Sequence, residues 1–66
     1  MLVTINDEPR EVADAICVSD LLAFLELRST HVAVEVNLNL VPRGRHAEHV
    51  LRDGDRIEIV TFVGGG

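Results

Sequence analysis

The chain has 66 residues, which is one domain, and 47% hydrophobic with 26% charged residues is ordinary for a folded domain. Six arginines against eleven acidic residues give a net charge of −5, without the basic cluster or aromatic platform of a nucleic-acid-binding protein. No apolar run approaches the ~18 residues of a membrane span, and the first residues lack a signal-peptide pattern. We therefore expect a cytoplasmic protein with no membrane or nucleic-acid partner, binding proteins with positive surfaces.

The first twelve residues predict a β-hairpin. Met1, Val3 and Ile5 alternate with Leu2 and Thr4 in the period-2 pattern of a strand. Residues 6–9 follow with turn-forming types that include Pro9, and Val12 then anchors a short second strand. The next element is a helix predicted over residues 19–28, with Ser19 as its N-cap.

A third strand is predicted at 32–36, because three valines alternate there with other residues and should point inward. Leu40 and Val41 form a short fourth strand that Pro42 ends, and residues 46–50 are long enough for one helical turn. The segment 53–55 reads Asp-Gly-Asp, a strong turn signal, and a last strand runs from Ile57 to Val63.

This order of elements predicts an α+β architecture with one mixed sheet packed on one helix. The apolar residues that should form the core are Leu21, Leu22 and Leu25 from the helix, with Val3, Ile5, Val12, Val32, Val34, Ile57 and Ile59 from the sheet. If the two isoleucines face the helix, Val60 and Phe62 point to the other side. We interpret this exposed apolar pair, continued by Val63, as a surface that docks partners.

The last three residues, Gly64, Gly65 and Gly66, have two interpretations. Glycines without a Cβ can be threaded down a channel too narrow for side chains, which would deliver the Gly66 carboxylate to a partner enzyme. That carboxylate, with a pKa of about 3.3–3.7, is ionised at neutral pH and can attack the α-phosphate of ATP. The alternative is a frayed end without function. We therefore expect the chain to consist of a folded domain, residues 1–63, and a flexible tail, residues 64–66.

The order of elements and the glycine ending together resemble the ubiquitin-like β-grasp sulfur carriers, specifically the ThiS family of thiazole (thiamine) biosynthesis. The segments that carry the likeness are 19–22, 34–37, 41–43, the run LRDGDRIEIV at 51–60, and the glycines 64–66. The resemblance implies a β-grasp fold, with a mixed sheet of four to five strands on one helix plus a short helical turn.

The resemblance also implies the chemistry. A ubiquitin-activating-enzyme-like adenylyltransferase would adenylate Gly66 with ATP, and sulfur from a cysteine-derived persulfide would replace AMP to leave a thiocarboxylate. Thiazole synthase would then accept the sulfur. The carrier itself would be no enzyme, with no catalytic side chain and no bound cofactor, while Gly64 and Gly65 provide clearance in both partner sites.

Two other functions have similar sequence requirements. The small subunit of molybdopterin synthase shares the fold and a Gly-Gly end, but such chains are usually longer and approach the tail through a proline-containing segment, which 60–63 lacks. A ubiquitin-like protein modifier or a plain binding module is the second alternative.

The remaining polar candidates are weaker. His46 and His49 are three positions apart, which suits a metal site, but ordinary surface histidines explain them without one. Cys17 is interpreted as a small buried hydrophobe. In relatives, the turn at Asn37-Leu38 usually reads Asn-Gly, and a tryptophan often stands near the position of His46. Three acidic side chains, Asp53, Asp55 and Glu58, either steer a basic partner or belong to a solvated surface.

Overall fold

The computed structural model describes residues 1–62, and these form a five-stranded sheet with one α-helix. The elements are β1 (Leu2–Ile5), β2 (Glu8–Glu11), α1 (Val18–Phe24), β3 (Val32–Val36), β4 (Asn39–Val41) and β5 (Arg56–Thr61), with 3₁₀ turns at Ser29–His31 and Arg43–Arg45. The strand order is β2-β1-β5-β3-β4. Only β1 and β5 are parallel; the other neighbours are antiparallel. The predicted α+β architecture, one mixed sheet on one helix, is confirmed.

One face of the sheet and one side of α1 form the core. The helix contributes Val18, Leu21 and Leu22, and all three valines predicted to point inward from β3 are buried. Four core residues were not in the predicted core: Val18, Val36, Val41 and Leu51. Val12 and Leu25 were in the predicted core but are only partly buried.

The hairpin between β1 and β2 is tighter than predicted. Its turn consists of Asn6 and Asp7 alone, both at positive φ (50° and 68°), as in a type I′ turn. Glu8 and Pro9 already belong to β2, and Pro9 lies opposite Thr4. The prediction of a turn over residues 6–9 was therefore wrong. Pro9 can belong to β2 because β2 is an edge strand, where the missing N–H of proline is tolerated.

The helix is shorter than the predicted 19–28 and starts one residue earlier. Cys17, not Ser19, occupies the N-cap position, without a side-chain capping hydrogen bond. At the other end Glu26 takes φ 60°, so that its N–H reaches the Ala23 carbonyl and the Leu27 N–H reaches the Leu22 carbonyl. This pair of bonds is a Schellman motif, which ends the helix although the sequence lacks the usual glycine.

The helical turn predicted at 46–50 is present in part: the His49 N–H donates to the Arg45 carbonyl at 2.9 Å, and this single turn ends before Val50. The 3₁₀ turn lies at Arg43–Arg45, directly after Pro42. Val50 instead forms an isolated antiparallel bridge with Cys17, and the Leu51 N–H donates to the Ile16 carbonyl at 2.9 Å. Extended pairing to the segment before α1 thus follows the turn from Val50 onward.

The last strand follows the prediction as far as Thr61. β5 ends at Thr61, and the Phe62 N–H still donates to the His31 carbonyl at 2.8 Å. Val63, to which the strand was predicted to run, lies outside the described residues, so the boundary between a 1–63 domain and a 64–66 tail stays a prediction. Within residues 1–62 no helix has the length and apolar character needed to cross a membrane.

The hairpin between β3 and β4 places a leucine in an unfavourable conformation. Asn37 and Leu38 form its two-residue turn, with φ of 51° and 71°. Asparagine tolerates the left-handed region, whereas leucine is strained there by contact between its Cβ and the backbone. The Leu38 side chain is 88% exposed, so little packing offsets that strain.

Replacing Leu38 by glycine should therefore stabilise the protein. We expect Leu38→Gly to raise the free energy of unfolding by about 1 kcal/mol, measured by urea denaturation, because glycine adopts positive φ without strain. Leu38→Ala is the matched control: it removes the exposed side chain but keeps the Cβ, and should change stability little. Equal stabilities of the two variants would contradict backbone strain at this position.

Candidate functional site

The strand that leads to the glycines is the central strand of the sheet. β5 pairs with β1 on one side and β3 on the other. Its inward side chains, Ile57 and Ile59, are 0% and 8% exposed. A strand fixed by two neighbours and two core side chains gives residues 60–62 a defined starting point and direction.

The opposite face of β5 presents apolar side chains where the strand leaves the sheet. Val60 is 60% exposed and Phe62 is 53% exposed, the alternation expected from buried isoleucines at 57 and 59. Val60 lies opposite Ala33 of β3. We call Val60 and Phe62 the exit pair. Its exposure fits a docking surface, and its docking role stays a prediction.

A pair of carboxylates lies beside the exit pair on this outer face. Glu35 and Glu58 are opposite each other in the β3–β5 ladder, and neither forms an ion pair within residues 1–62. Like charges in directly opposed positions destabilise a sheet slightly. They also favour the approach of a basic surface.

The two aspartates of the 53–55 turn have structural partners. Asp53 accepts a hydrogen bond from the Leu2 N–H at 2.8 Å. Asp55 accepts from the Arg52 N–H at 2.9 Å and from Asn37 Nδ2 at 3.0 Å. These bonds tie the turn before β5 to its surroundings. Of the three acidic side chains predicted to steer a partner, Glu58 is the one that lies on the outer face of the sheet.

Two asparagines that the sequence analysis did not single out hold β5 from opposite sides. Asn6 Oδ1 accepts from the Ile59 N–H at 2.7 Å, and Asn6 Nδ2 donates to the Ile59 carbonyl at 3.1 Å. Asn37 Oδ1 accepts from the Arg56 N–H at 3.0 Å, and the Asn37 N–H donates to the Arg56 carbonyl at 2.7 Å. In both cases the sequence indicates only the turn, by an asparagine between two predicted strands, and the contact with β5 depends on the packed sheet.

His46 is buried, which corrects its interpretation as a surface histidine. It is 3% exposed, with Nε2 3.0 Å from the Val41 carbonyl oxygen and Nδ1 without a hydrogen-bond partner. The segment after β4 lies against the start of α1, where the Ser19 N–H donates to the His46 carbonyl at 2.9 Å. His49 is half-buried. Cys17 is half-buried rather than in the core, with Sγ 3.2 Å from Ser19 Oγ.

No group of three or more His, Cys, Asp or Glu side chains suitable for a metal ion occurs among residues 1–62. The predicted reactive residue Gly66, the threading residues Gly64 and Gly65, and the third docking residue Val63 all lie outside the described residues. Their roles stay predictions.

Comparison with known proteins gives a consistent assignment. The sequence model of the ThiS family matches residues 3–66. The sulfur carrier protein ThiS of Escherichia coli (strain K12) is 33% identical over 66 residues, covering both chains completely. ThiS of Bacillus subtilis (strain 168) is 47% identical over 49 residues, 74% of each chain.

A third relative is a much longer protein. Thiazole synthase of Paramagnetospirillum magneticum is 44% identical over 66 residues, which are all of this chain but 20% of that protein. The chain thus spans about a fifth of that relative's length.

The fold comparison agrees with the sequence comparison. The crystal structure of the thiamine biosynthesis protein ThiS from Geobacter metallireducens superposes with a TM-score of 0.86 at 33% identity, covering both chains completely. The predicted β-grasp fold is therefore confirmed, and the chain belongs to the ThiS family.

Proposed function

We propose that this chain is a sulfur carrier protein of thiamine biosynthesis that carries sulfur as a thiocarboxylate on Gly66. The observation that supports this most is the placement of β5. The strand is fixed at the centre of the sheet, exposes the exit pair at its end, and continues in sequence into Gly64, Gly65 and Gly66. Such an arrangement suits a chain whose reacting group is delivered to a partner.

The proposed chemistry has four steps. A Gly66 carboxylate oxygen attacks the α-phosphorus of ATP on an adenylyltransferase, and pyrophosphate leaves. The terminal sulfur of a cysteine-derived persulfide then attacks the acyl carbon and displaces AMP, and a thiol cleaves the resulting acyl disulfide to give the thiocarboxylate. Thiazole synthase accepts this sulfur. ATP is a substrate of the activating partner, and the carrier supplies no catalytic side chain.

Thiazole synthase is favoured as the sulfur acceptor by the relatives of that name that contain a segment similar to this whole chain. A single polypeptide that includes both parts keeps carrier and acceptor together. We place these events in the cytoplasm, where ATP and persulfide donors are available.

Partner binding is proposed to use the exit pair. Fully burying a phenylalanine is worth about 1.5–3 kcal/mol, so an anchor such as Phe62 contributes measurably to affinity. Extended peptides are commonly recognised through main-chain contacts together with pockets for alternate side chains. Glu35 and Glu58 add an attraction for basic partner residues.

The first prediction concerns the covalent product. When the chain is expressed with its adenylyltransferase and persulfide donor, intact-mass spectrometry should show one sulfur in place of one oxygen, and fragmentation should assign it to Gly66. A variant lacking Gly65 and Gly66 is the control and should stay unmodified.

The same experiment separates the alternative functions. Persistent absence of the sulfur-containing species, with ATP and donor present, would contradict the carrier proposal. Transfer of the sulfur to molybdopterin instead of the thiazole would identify a molybdopterin synthase subunit. Amide conjugates to other proteins would identify a modifier.

The second prediction concerns docking. Phe62→Ala should lower kcat/KM for adenylation about tenfold, because an apolar anchor of this size is lost. Phe24→Ala is a matched control, since Phe24 is the only other phenylalanine and is 62% exposed at the end of α1. Both variants should keep the stability of the parent chain. Equal kcat/KM values in the two variants would exclude Phe62 as an anchor.

A further inference from the structure

The side chain of Asn6 takes the place of a strand residue beside β5. The parallel pairing of β1 with β5 ends at Ile5 opposite Ile57. Beyond it the Asn6 N–H donates to the Ile57 carbonyl at 2.9 Å, and the carboxamide bonds both main-chain groups of Ile59. A primary amide has the same donor and acceptor as a peptide unit, so it continues the ladder by one step after the chain has turned away.

The turn conformation makes this contact possible. Asn6 has φ 50°, a conformation that asparagine adopts more readily than most residues. The reversal of the chain at Asn6 and Asp7 leaves the short side chain directed at β5. Asp7 adds an ion pair with Arg56, with Oδ1 and Nη2 2.7 Å apart.

Asn6 is also the last restraint on that side of β5. Hydrogen bonding alternates along a strand, so the main-chain groups of Ile57, Ile59 and Thr61 point toward β1 and those of Val60 and Phe62 toward β3. Within residues 1–62 nothing bonds the main chain of Thr61 on the β1 side. The exit pair is therefore held by β3 on one side. On the other side the last restraint is Asn6, which bonds Ile59, the residue before Val60.

We propose that Asn6 is a positioning residue for the tail: its carboxamide keeps residues 59–62 extended before the partner binds, an inference that rests on the proposed function. Ordering a backbone residue has an entropic cost of about 1–2 kcal/mol. If the end of β5 frayed, each partner would have to order Val60 and Phe62 during binding. With Asn6 in place that ordering is already complete.

Asn37 provides a structural comparison within the same chain. It also stands first in a two-residue turn at positive φ, and it also bonds the main chain of β5. Its contact is at Arg56, where the strand begins, far from the exit pair. Loss of either carboxamide should weaken the fold, but only loss of Asn6 should loosen the end of the strand.

The test compares Asn6→Gly with Asn37→Gly. Glycine preserves both turns, because it suits positive φ, and removes only the side chain. In Asn6→Gly the Phe62 amide, which bonds the His31 carbonyl, should exchange with solvent about tenfold faster than in the parent chain. In Asn37→Gly it should change less than about twofold relative to the parent.

The second readout is activation by the adenylyltransferase. Asn6→Gly should raise KM for the carrier about tenfold and leave kcat unchanged, because the carboxylate is the same once bound. Asn37→Gly should leave KM within about twofold. Asn6→Asp keeps the acceptor for the Ile59 N–H but faces the Ile59 carbonyl with an oxygen, and should resemble Asn6→Gly.

The outcomes separate this inference from the proposed function. If the parent chain is not activated at all, the proposed function fails, and Phe62 exchange still tests whether Asn6 restrains the strand. If the parent is activated while Asn6→Gly and Asn37→Gly share the same KM and the same Phe62 exchange, Asn6 is a purely structural residue and the inference is overturned.

Discussion

The structure depends on the insertion of β5 between β1 and β3. This places the last strand of the chain beside the first, in parallel, and Ile57 at a fully buried position opposite Ile5. Without β5 the sheet would divide into two separate hairpins, β1–β2 and β3–β4, and isolated hairpins are marginally stable in water. The strand that completes the core also precedes the glycines in sequence, so the folding of the core also positions the residues that lead to them.

Both hairpin turns serve this strand in the same way. Each has an asparagine at its first position, in the left-handed region, and each asparagine bonds the main chain of β5. A turn that only reversed the chain would be best served by any residue tolerating positive φ. The choice of asparagine links turn geometry to the position of the central strand. Leu38 has no such compensating contact.

The residues of β5 that stabilise the core lie on one face of the sheet, and those proposed to bind partners lie on the other. The inward residues of β5 are buried with those of β1 and β3, whereas Val60 and Phe62 remain exposed beside the Glu35–Glu58 pair. Neither the exposed apolar groups nor the opposed carboxylates improve the isolated fold. Both become favourable against an apolar, basic surface, which fits a chain whose proposed chemistry takes place on other proteins.

The sequence by itself determined the order of the strands along the chain, the inward faces of β3 and β5, and the glycine ending. These follow from side-chain alternation and turn-forming residues, which act between near neighbours. Only the tertiary structure decided the burial of His46, the bridge between Cys17 and Val50, and the contact between Asn6 and Ile59, 53 positions apart. The physical reason is that backbone groups and polar side chains take whichever partners the packed sheet brings close, and local sequence patterns contain no information about those distant partners.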